Sequence, residues 1–474
     1  MTMDLKMLKA GTMMSIVGMM FLITGCMLGP DFEPPLVETP QKYRFAPAKD
    51  EGAVNLKWWE LFQDPVLYSL VTTALTHNRD IGIAASRIEE ARLALDFSRA
   101  DLYPAIDLNA GGSVGNFSGG SRSSTTNSTL FFAPVINWEI DFWGKVRRAN
   151  ESARAELFAS TYAFRTVQLS LIAEVASNYY LLLDFHNRLE ISKMTMASRV
   201  ESLDIIQQRF DAGLIPELDV NQAQIQKEIA AAAVPLYERL IAQAENTLNI
   251  LLGGYTREVL VATSLNHQPI PPEIPVGLPA GLLERRPDII EALYLLEAQN
   301  AKIGFAEALR FPAIGLTGAL GVASTEIGDL TIEGGVWSIG GGILGPIFNY
   351  GKNVRRVEIE GERTRRALYR FENTVLTAFK EVEDALVAVD TYNRQIEAVR
   401  NKLVAAKNAD LLARERYDAG YTSYLEALDA ERTLFSIELE YSEVKRQFLD
   451  AYVKLYKALG GGWVSEAEVN ATGS

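Results

Sequence analysis

The stretch Arg209-Phe210-Asp211-Ala212-Gly213 returns later in the chain as Arg416-Tyr417-Asp418-Ala419-Gly420. In both copies a helix-forming segment precedes the glycine and a second one follows it within a few residues. Glycine supplies the left-handed conformation that commonly ends a helix. We therefore predict that Gly213 and Gly420 are corners, each joining an outgoing and a returning helix into a long hairpin.

The segments that lead into these corners are unusually long. Residues 145–212 contain neither proline nor glycine, and residues 352–419 contain only Gly361. Alanine, leucine, glutamate, arginine and glutamine dominate, and all are good helix formers. One continuous helix of about 67 residues would measure about 100 Å, which favours a tube or a coiled coil over a small globule. The alternative is two shorter helices with a polar break near residues 184–187.

The corners belong to a duplication of a domain-sized unit. Other residues recur at the same offset of about 208 positions, such as Glu89, Phe97 and Pro104, which return as Glu297, Phe305 and Pro312. Each copy is predicted to contain a helix, two strands and a long helical hairpin. The first copy covers residues 65–255, with its hairpin at about 144–252, and the second covers 285–460, with its hairpin at about 352–459. A proline-rich connector, 256–284, lies between them, and 461–474 form a tail.

Two strands are predicted in each copy, at about 104–117 and 129–141 and at about 312–323 and 335–348. Apolar Ile106, Leu108 and Val114 alternate with small or polar residues, which is the period-two pattern of a strand. Residues 119–127 are rich in Gly, Ser, Thr and Asn and are predicted to form a loop. The alternation fits an outer-membrane strand as well as a hairpin of a soluble β-sandwich.

The N-terminus resembles a secretory signal. Lys6 and Lys9 precede an apolar run, and the sequence Leu22-Ile23-Thr24-Gly25 leads to Cys26, the only cysteine of the chain. A lone cysteine is often a small buried hydrophobe. Here its setting resembles the lipobox of bacterial lipoproteins, which implies a signal peptide over residues 1–25, S-diacylglycerol and N-acyl groups on Cys26, and a lipidated extended segment over 26–64. Met27 in place of an aspartate favours the outer membrane.

Charge and hydropathy narrow the function classes. The net charge of −14 disfavours nucleic acid as a partner, which requires clustered Lys and Arg. After Cys26 no apolar stretch is long enough for a transmembrane helix, so a membrane crossing would use strands. Four strands cannot close a barrel, because the smallest outer-membrane barrels have eight. Three chains would supply twelve strands and a lumen wide enough for water.

Several motifs together resemble one family, the outer-membrane factors of tripartite efflux systems, in the TolC/OprM-like group and its NodT-type lipoprotein branch. The resemblance covers nearly the whole chain. The motifs are, in chain order, Trp58–Pro65, Leu102–Ala105, Pro134-Val135, Trp138–Lys145, Glu284–Ile289, Gly345–Phe348 and Arg416–Gly420.

The resemblance implies a mixed α and β membrane protein: a trimeric 12-strand outer-membrane β-barrel with four strands per chain, continued by a long periplasmic α-helical barrel. It implies a homotrimer that contacts outer-membrane lipid, a periplasmic membrane-fusion adaptor protein and a proton-driven inner-membrane RND transporter. The expected function is passive conduction of drugs or other small toxic solutes, without catalysis or a cofactor. Type I protein secretion, a passive porin and a soluble coiled-coil scaffold are the alternatives.

The resemblance also places a periplasmic gate just after the second corner. Leu425 matches the apolar closing ring and Asp429 the acidic ring, and Glu426 adds a further carboxylate. Arg416 and Tyr417 match a latch between helices. The alternative is that these side chains only pack or solvate a helical turn.

Two further patterns do not indicate chemistry. Gly111-Gly112-Ser113-Val114-Gly115 matches the nucleophile elbow of hydrolases, but that motif needs a strand, a sharp turn and then a helix, whereas Ser113 lies within an alternating strand. The three histidines, His77, His186 and His267, lack zinc-binding spacing. We therefore expect neither an enzyme nor a metal site.

Overall fold

The computed structural model describes residues 26–45, 62–118, 121–259, 261, 264–269, 271, 281–324 and 335–461. The predicted signal peptide, residues 58–61 of the first family motif, most of the proline-rich connector and the tail after residue 461 lie outside these ranges.

Both copies of the duplication fold into the same order of elements. The two long helices, α3 (Lys145–Asp211) and α7 (Lys352–Asp418), contain 67 residues each without interruption, so the alternative of a break near residues 184–187 is wrong. The returning helices, α4 (Glu217–Leu251) and α8 (Tyr424–Ala458), contain 35 residues each. The elements are α1 Pro65–His77, α2 Arg79–Ala100, β1 Ala105–Ser118, β2 Ser121–Ile140, α3 Lys145–Asp211, α4 Glu217–Leu251, a 3-10 turn Leu265–His267, α5 Leu282–Arg285, α6 Pro287–Ala308, β3 Ala313–Ser324, β4 Gly335–Leu344, α7 Lys352–Asp418 and α8 Tyr424–Ala458.

Three expected boundaries are corrected. The one helix predicted before the strands of the first copy is two helices, because Asn78 ends the first and its Oδ1 accepts hydrogen bonds from the N–H groups of Asp80 and Ile81 at 2.7 and 3.2 Å. Strand β2 begins at Ser121, so most of the predicted loop 119–127 is strand, since pairing with β1 overrides its turn-like composition. Strand β4 ends at Leu344 and not near residue 348.

The four strands form one antiparallel sheet in the order β1-β2-β3-β4. The register pairs Leu108 with Pro134, Trp138 with Leu316 and Thr317 with Gly340. Strands β1 and β4 each have one neighbour, so the described sheet has two open edges. Many of its apolar side chains are exposed, including Ile106, Leu108, Val114, Leu320, Ile339 and Ile343. Such a surface requires a cover other than water.

None of the helices in the described ranges combines the length and the apolar character needed to cross a membrane.

The chain divides into two compact units, both built from discontinuous segments. Among the described residues, the first, the sheet unit, contains those within 26–36, 87–161 and 291–372, and therefore the whole described sheet. The second, the helical unit, contains the described residues within 37–86, 162–290 and 373–461. The core of the helical unit is aromatic and aliphatic, with Tyr179, Tyr180 and Leu248 fully buried.

Candidate functional site

The two corners have the same backbone geometry. Gly213 has φ +74° and Gly420 has φ +76°, the left-handed conformation expected from the sequence. After each glycine the next N–H reaches back to close the last turn of the helix, from Leu214 to the carbonyl of Arg209 at 2.9 Å and from Tyr421 to that of Arg416 at 2.8 Å. Each long helix therefore ends on a closed turn, and the returning helix starts within six residues of its end.

Leu425 and Asp429 lie on one face of α8, one turn apart. Leu425 is 58 % exposed, and Asp429 forms an exposed ion pair with Arg432 at 2.5 Å. An exposed leucine and an exposed carboxylate at spacing i, i+4 share a face of the helix. They do not pack into the core of their own unit, so simple core packing does not explain them.

The two predicted latch residues act on different partners. Arg416 reaches across its own corner to Glu426 at 3.5 Å, and Glu426 also accepts a hydrogen bond from the hydroxyl of Thr422. The ring of Tyr417 instead lies against that of Tyr424, with centroids 5.4 Å apart, and under the guanidinium of Arg209 at 4.8 Å. Tyr417 thus connects the second hairpin to the first, whereas Arg416 braces only the second corner.

Arg209 is a residue that the sequence reasoning did not single out beyond its place in the repeat. Besides covering Tyr417, it pairs with Asp418 at 3.2 Å. The first corner therefore holds the second through a cation over an aromatic ring and an exposed ion pair. The repeat itself offered the signal, since each long helix ends on an arginine and an aspartate.

A small apolar core lies beside the corners. Its buried side chains come from α3, α4 and α8, and α7 contributes the partly buried Tyr417. Its buried members are Ile206, Ala223, Tyr424 and Leu428. This core is separate from the large cluster of the helical unit, so the ends of the hairpins rest on few apolar contacts. Segments with a small core open more easily than the rest of a fold.

The segment after Cys26 is held in the sheet unit. Cys26 is exposed, and its carbonyl accepts a hydrogen bond from Arg147 at 3.4 Å. Arg148, 1 % exposed, donates to the carbonyls of Leu28 and Gly29, both at 2.9 Å. Further contacts are the hydrogen bond from Leu28 N–H to the carbonyl of Trp143 at 3.2 Å, those from Arg148 to Asp31 at 2.9 Å and to Glu151 at 2.8 Å, and that from Asn300 to the carbonyl of Pro30 at 3.1 Å.

Two glycines allow this segment to approach so closely. Gly29 has φ +87°, and a Cβ added to it would lie 2.3 Å from the Cα of Gly304. A Cβ on Gly304 would lie 2.5 Å from the carbonyl oxygen of Leu28. Only glycine can occupy both positions without moving backbone. The backbone that follows the predicted lipid attachment site is therefore held in a defined position by packing and hydrogen bonds.

The described residues include no cluster of three or more His, Cys, Asp or Glu side chains that could hold a metal ion. Ser113 lies within β1 opposite Thr129, away from any strand-to-helix turn.

The arrangement can be compared with known proteins. The family model described as "Outer membrane efflux protein" matches residues 70–254 and 278–461. The chain belongs to this family. The two matched stretches begin about 208 positions apart, which is the offset of the internal duplication. Family membership places the chain among outer-membrane efflux channels and confirms the resemblance drawn from its motifs.

Individual relatives extend this similarity over nearly the whole chain. The toluene efflux pump outer membrane protein TtgC of Pseudomonas putida is 34% identical, covering 96% of each chain. The probable outer membrane lipoprotein SilC of Salmonella typhimurium is 32% identical, covering 94% of this chain and 98% of that protein. The structure of the outer-membrane channel OprN, 30% identical, superposes with a TM-score of 0.86, covering 92% of this chain and 100% of that one.

Proposed function

We propose that three copies of this chain form the outer-membrane channel of a tripartite efflux pump. The observation that carries the proposal is a four-stranded sheet with two open edges and an exposed apolar surface, in a chain whose helices reach 67 residues. Open edges are not tolerated in lipid, because their N–H and C=O groups would be unpaired. Three copies close a twelve-stranded barrel, and each copy contributes two long helical hairpins to the assembly.

The channel itself supplies no energy. A periplasmic adaptor and a proton-driven inner-membrane transporter deliver the solute, and the trimer conducts it passively to the exterior. The substrates are drugs or other small toxic molecules, in keeping with the relatives, whose names describe efflux pumps. Protein secretion and a general porin are not favoured, because the relatives named are efflux proteins and a porin does not need such long helices.

Four measurements test this function. The protein extracted from outer membranes with mild detergent should cross-link as a trimer and conduct ions in planar bilayers. Deletion of the gene should sensitise the cells to a panel of toxic compounds, and the native adaptor and transporter should co-purify with the protein. A soluble monomer without conductance would overturn the channel function.

The gate is proposed to lie at the exposed face formed by Leu425 and Asp429. Three leucine side chains block water, and three carboxylates attract cations to the constriction. Replacing both residues by alanine should raise the mean conductance in planar bilayers several-fold, because the apolar block and the charged ring are removed together. The measurement is the conductance at fixed voltage and salt.

The first copy offers a matched control for the gate. Leu218 and Gln222 stand at the equivalent positions of α4, and Leu218 is similarly exposed. Alanine at both should leave the conductance near that of the wild type. Equal effects of the two double variants, or none from Leu425→Ala with Asp429→Ala, would move the gate elsewhere.

Cys26 is proposed to be the lipid attachment site, as the first residue of the mature chain. The exposure of Cys26 and the contacts that hold residues 27–31 support the proposal. The similarity to SilC, which is named a lipoprotein, supports it as well. Cys26→Ser should abolish the incorporation of labelled palmitate while the protein is still made. If this variant still incorporates the label, Cys26 is excluded as the attachment site. The lipid would then be on a residue other than cysteine, because the chain has no other cysteine.

A further inference from the structure

The two edge strands of the sheet differ in length from the strands between them. Strand β2 continues to Ile140 because β3 pairs with it there, beyond its last pair with β1 at Asn137. Strand β4 has β3 as its one neighbour among the described residues, and it ends at Leu344, where that pairing ends. A second neighbour at the free edge of β4 could therefore lengthen this strand, as β3 lengthens β2.

The duplication assigns each strand of one copy a counterpart in the other. Ala105 of β1 pairs with Asn137 of β2. In the second copy, Ala313 of β3 pairs with Leu344 of β4. Residues of β3 therefore correspond to residues of β1, and residues of β2 to residues of β4. The correspondence continues beyond the strands, because α3 and α7 begin at equivalent positions and have the same length.

The two copies meet within one chain where β2 lies beside β3. Ile140 pairs with Ile314 at the end of these strands. Just beyond it, the ring of Trp143 stacks on that of Phe311 with centroids 4.7 Å apart, and its Nε1 donates to the carbonyl of Pro312 at 2.8 Å. We call this contact the internal junction. Its counterpart would join β4 of one chain to β1 of another.

The aromatic contact of the internal junction has a counterpart whose two halves are both exposed. Tyr350 occupies in the second copy the position of Trp143 in the first, and it is 91 % exposed. Tyr103 occupies in the first copy the position of Phe311 in the second, and it is 72 % exposed. These tyrosines do not meet within one chain, because β2 and β3 separate the edge strands by about 14 Å at the usual strand spacing.

The internal junction also supplies a register for β4 against β1 of a second chain. The pair Ile140–Ile314 places Ile347 opposite Ile106. Exposed apolar side chains then lie across from one another, because directly opposite residues share a face of the sheet. A slip of one residue would place each of them opposite a residue of the other face. The same register places Ile343 opposite Ala110, and Ile339 opposite Val114.

We infer that a second copy of this chain occupies the free edge of β4, with its β1 in the register of the internal junction and its Tyr103 stacked on Tyr350. The inference rests on the proposed trimeric channel and specifies the surfaces that close it. Residues 345–347 become strand on assembly, as residues 138–140 are in β2. The two open edges then pair with each other, which lipid requires. Pro346 only accepts hydrogen bonds there, because it has no N–H group.

Paired cysteines in the full-length protein, in native outer membranes, test the register. Leu344 is expected to lie opposite Asn109 of the neighbouring copy. Leu344→Cys with Asn109→Cys should therefore form a disulfide between chains on mild oxidation, since opposite strand positions are close enough for one. Covalent dimers and trimers should appear on a non-reducing denaturing gel and disappear on reduction. Moving the second cysteine to Leu108 or Ala110 should lower the cross-linked fraction several-fold, because those side chains lie on the other face.

Two kinds of control accompany the cross-linking. Either cysteine alone should give no cross-link, which also excludes a bridge to Cys26. Asn137→Cys with Thr317→Cys is the matched pair, because these residues occupy the equivalent positions of the internal junction. It should form a disulfide within one chain, detected as protection of both thiols from a maleimide mass tag. If Leu344→Cys with Asn109→Cys does not assemble, Ile343→Cys with Ala110→Cys decides instead.

Tyr350→Ala tests the aromatic contact separately. The temperature at which the detergent-solubilised trimer dissociates should fall by several degrees, because each trimer loses three ring contacts. Tyr350→Trp should dissociate like the wild type, since tryptophan occupies the same position in the first copy. Tyr255→Ala is the control, because Tyr255 is as exposed as Tyr350 and lies outside both edge strands. It should leave the dissociation temperature unchanged.

The outcomes separate this inference from the channel function. A stronger cross-link at Leu108 or Ala110 than at Asn109 would overturn the register. Absence of every cross-link between chains, in a protein that conducts and whose internal pair bridges, would overturn the closure of β4 on β1. An unchanged dissociation temperature of Tyr350→Ala would overturn the aromatic contact. A wild-type protein that is monomeric and conducts no ions would overturn the channel function and this inference with it.

Discussion

Asp64→Ala is expected to lower the free energy of unfolding by about 3–5 kcal/mol. Asp64 is 5 % exposed and uses both carboxylate oxygens. Oδ1 caps α1 by accepting from the N–H groups of Val66 and Leu67 at 2.8 and 3.2 Å. Oδ2 accepts from the hydroxyl of Tyr179 at 2.8 Å and the amide of Gln268 at 2.6 Å. Alanine removes the cap and leaves two buried donors without an acceptor.

The donor role of Tyr179 is secure at neutral pH. Burial and the hydrogen bond to Asp64 raise the pKa of Tyr179, so its hydroxyl keeps its proton. The free energy lost on substitution therefore includes that of the hydrogen bond that the Tyr179 hydroxyl donates to Asp64. Thermal or denaturant unfolding of the detergent-solubilised protein, followed by circular dichroism, measures it.

Two variants calibrate the effect of Asp64→Ala. Asp64→Asn keeps a capping oxygen, and Gln268 can turn its amide to accept from the new amide, so the loss should be clearly smaller. Asp96→Ala removes an exposed carboxylate that pairs with Arg99 on the surface, and should change stability by less than about 0.5 kcal/mol. Equal stability of Asp64→Ala and wild type would mean that water replaces the lost acceptor.

Arg148→Leu is expected to release the segment after Cys26 and to cost roughly 3 kcal/mol. The buried guanidinium satisfies the carbonyls of Leu28 and Gly29 and the carboxylate of Glu151. Asp31, which is 91 % exposed, contributes little because water screens its charge. Limited proteolysis should cut within residues 27–36 much faster than in the wild type, and the melting temperature should fall.

Arg92→Leu is the control for Arg148→Leu. Its ion pair with Glu89 is exposed on both sides, so neither proteolysis nor melting should change measurably. Arg148→Lys should recover only part of the loss, because an ammonium group cannot reproduce the planar fork that reaches both carbonyls and the carboxylate. Unchanged proteolysis in Arg148→Leu would show that the glycine contacts alone hold the segment.

Asp64 and Arg148 show how far sequence reasoning reaches. Asp64 before Pro65 indicates the start of a helix, and in the structure Asp64 is the N-cap of α1. Its hydrogen-bond partners Tyr179 and Gln268 lie 115 and 204 positions away in the sequence, so no local sequence pattern predicts them. Arg148 recurs as Arg356 in the second copy, and nothing else in the local sequence distinguishes it. Its burial and its partners at residues 28–31 depend on how the sheet unit closes around it.

The features of the proposed gate likewise divide into those that the local sequence predicts and those that only the structure shows. The helix ends at Gly213 and Gly420 follow from local chemistry, because a glycine after a long helical segment favours a left-handed turn. The position of Leu425 and Asp429 on one exposed face follows from helical spacing. Tyr417 contacts Arg209 of the other hairpin, whereas Arg416 pairs with Glu426 at its own corner. Neither local chemistry nor helical spacing predicts this difference, since the two residues are neighbours in sequence.

The sequence by itself determined the duplication, the two uninterrupted helices, the corners and the alternating strands. These features depend on residue type and on spacing along a few turns or strand positions, and such information is local. Tertiary structure alone decided which carboxylates and cations are buried and which distant groups they contact, as with Asp64 and Arg148. Those outcomes depend on contacts between residues more than a hundred positions apart, where packing, and not local preference, selects the partner.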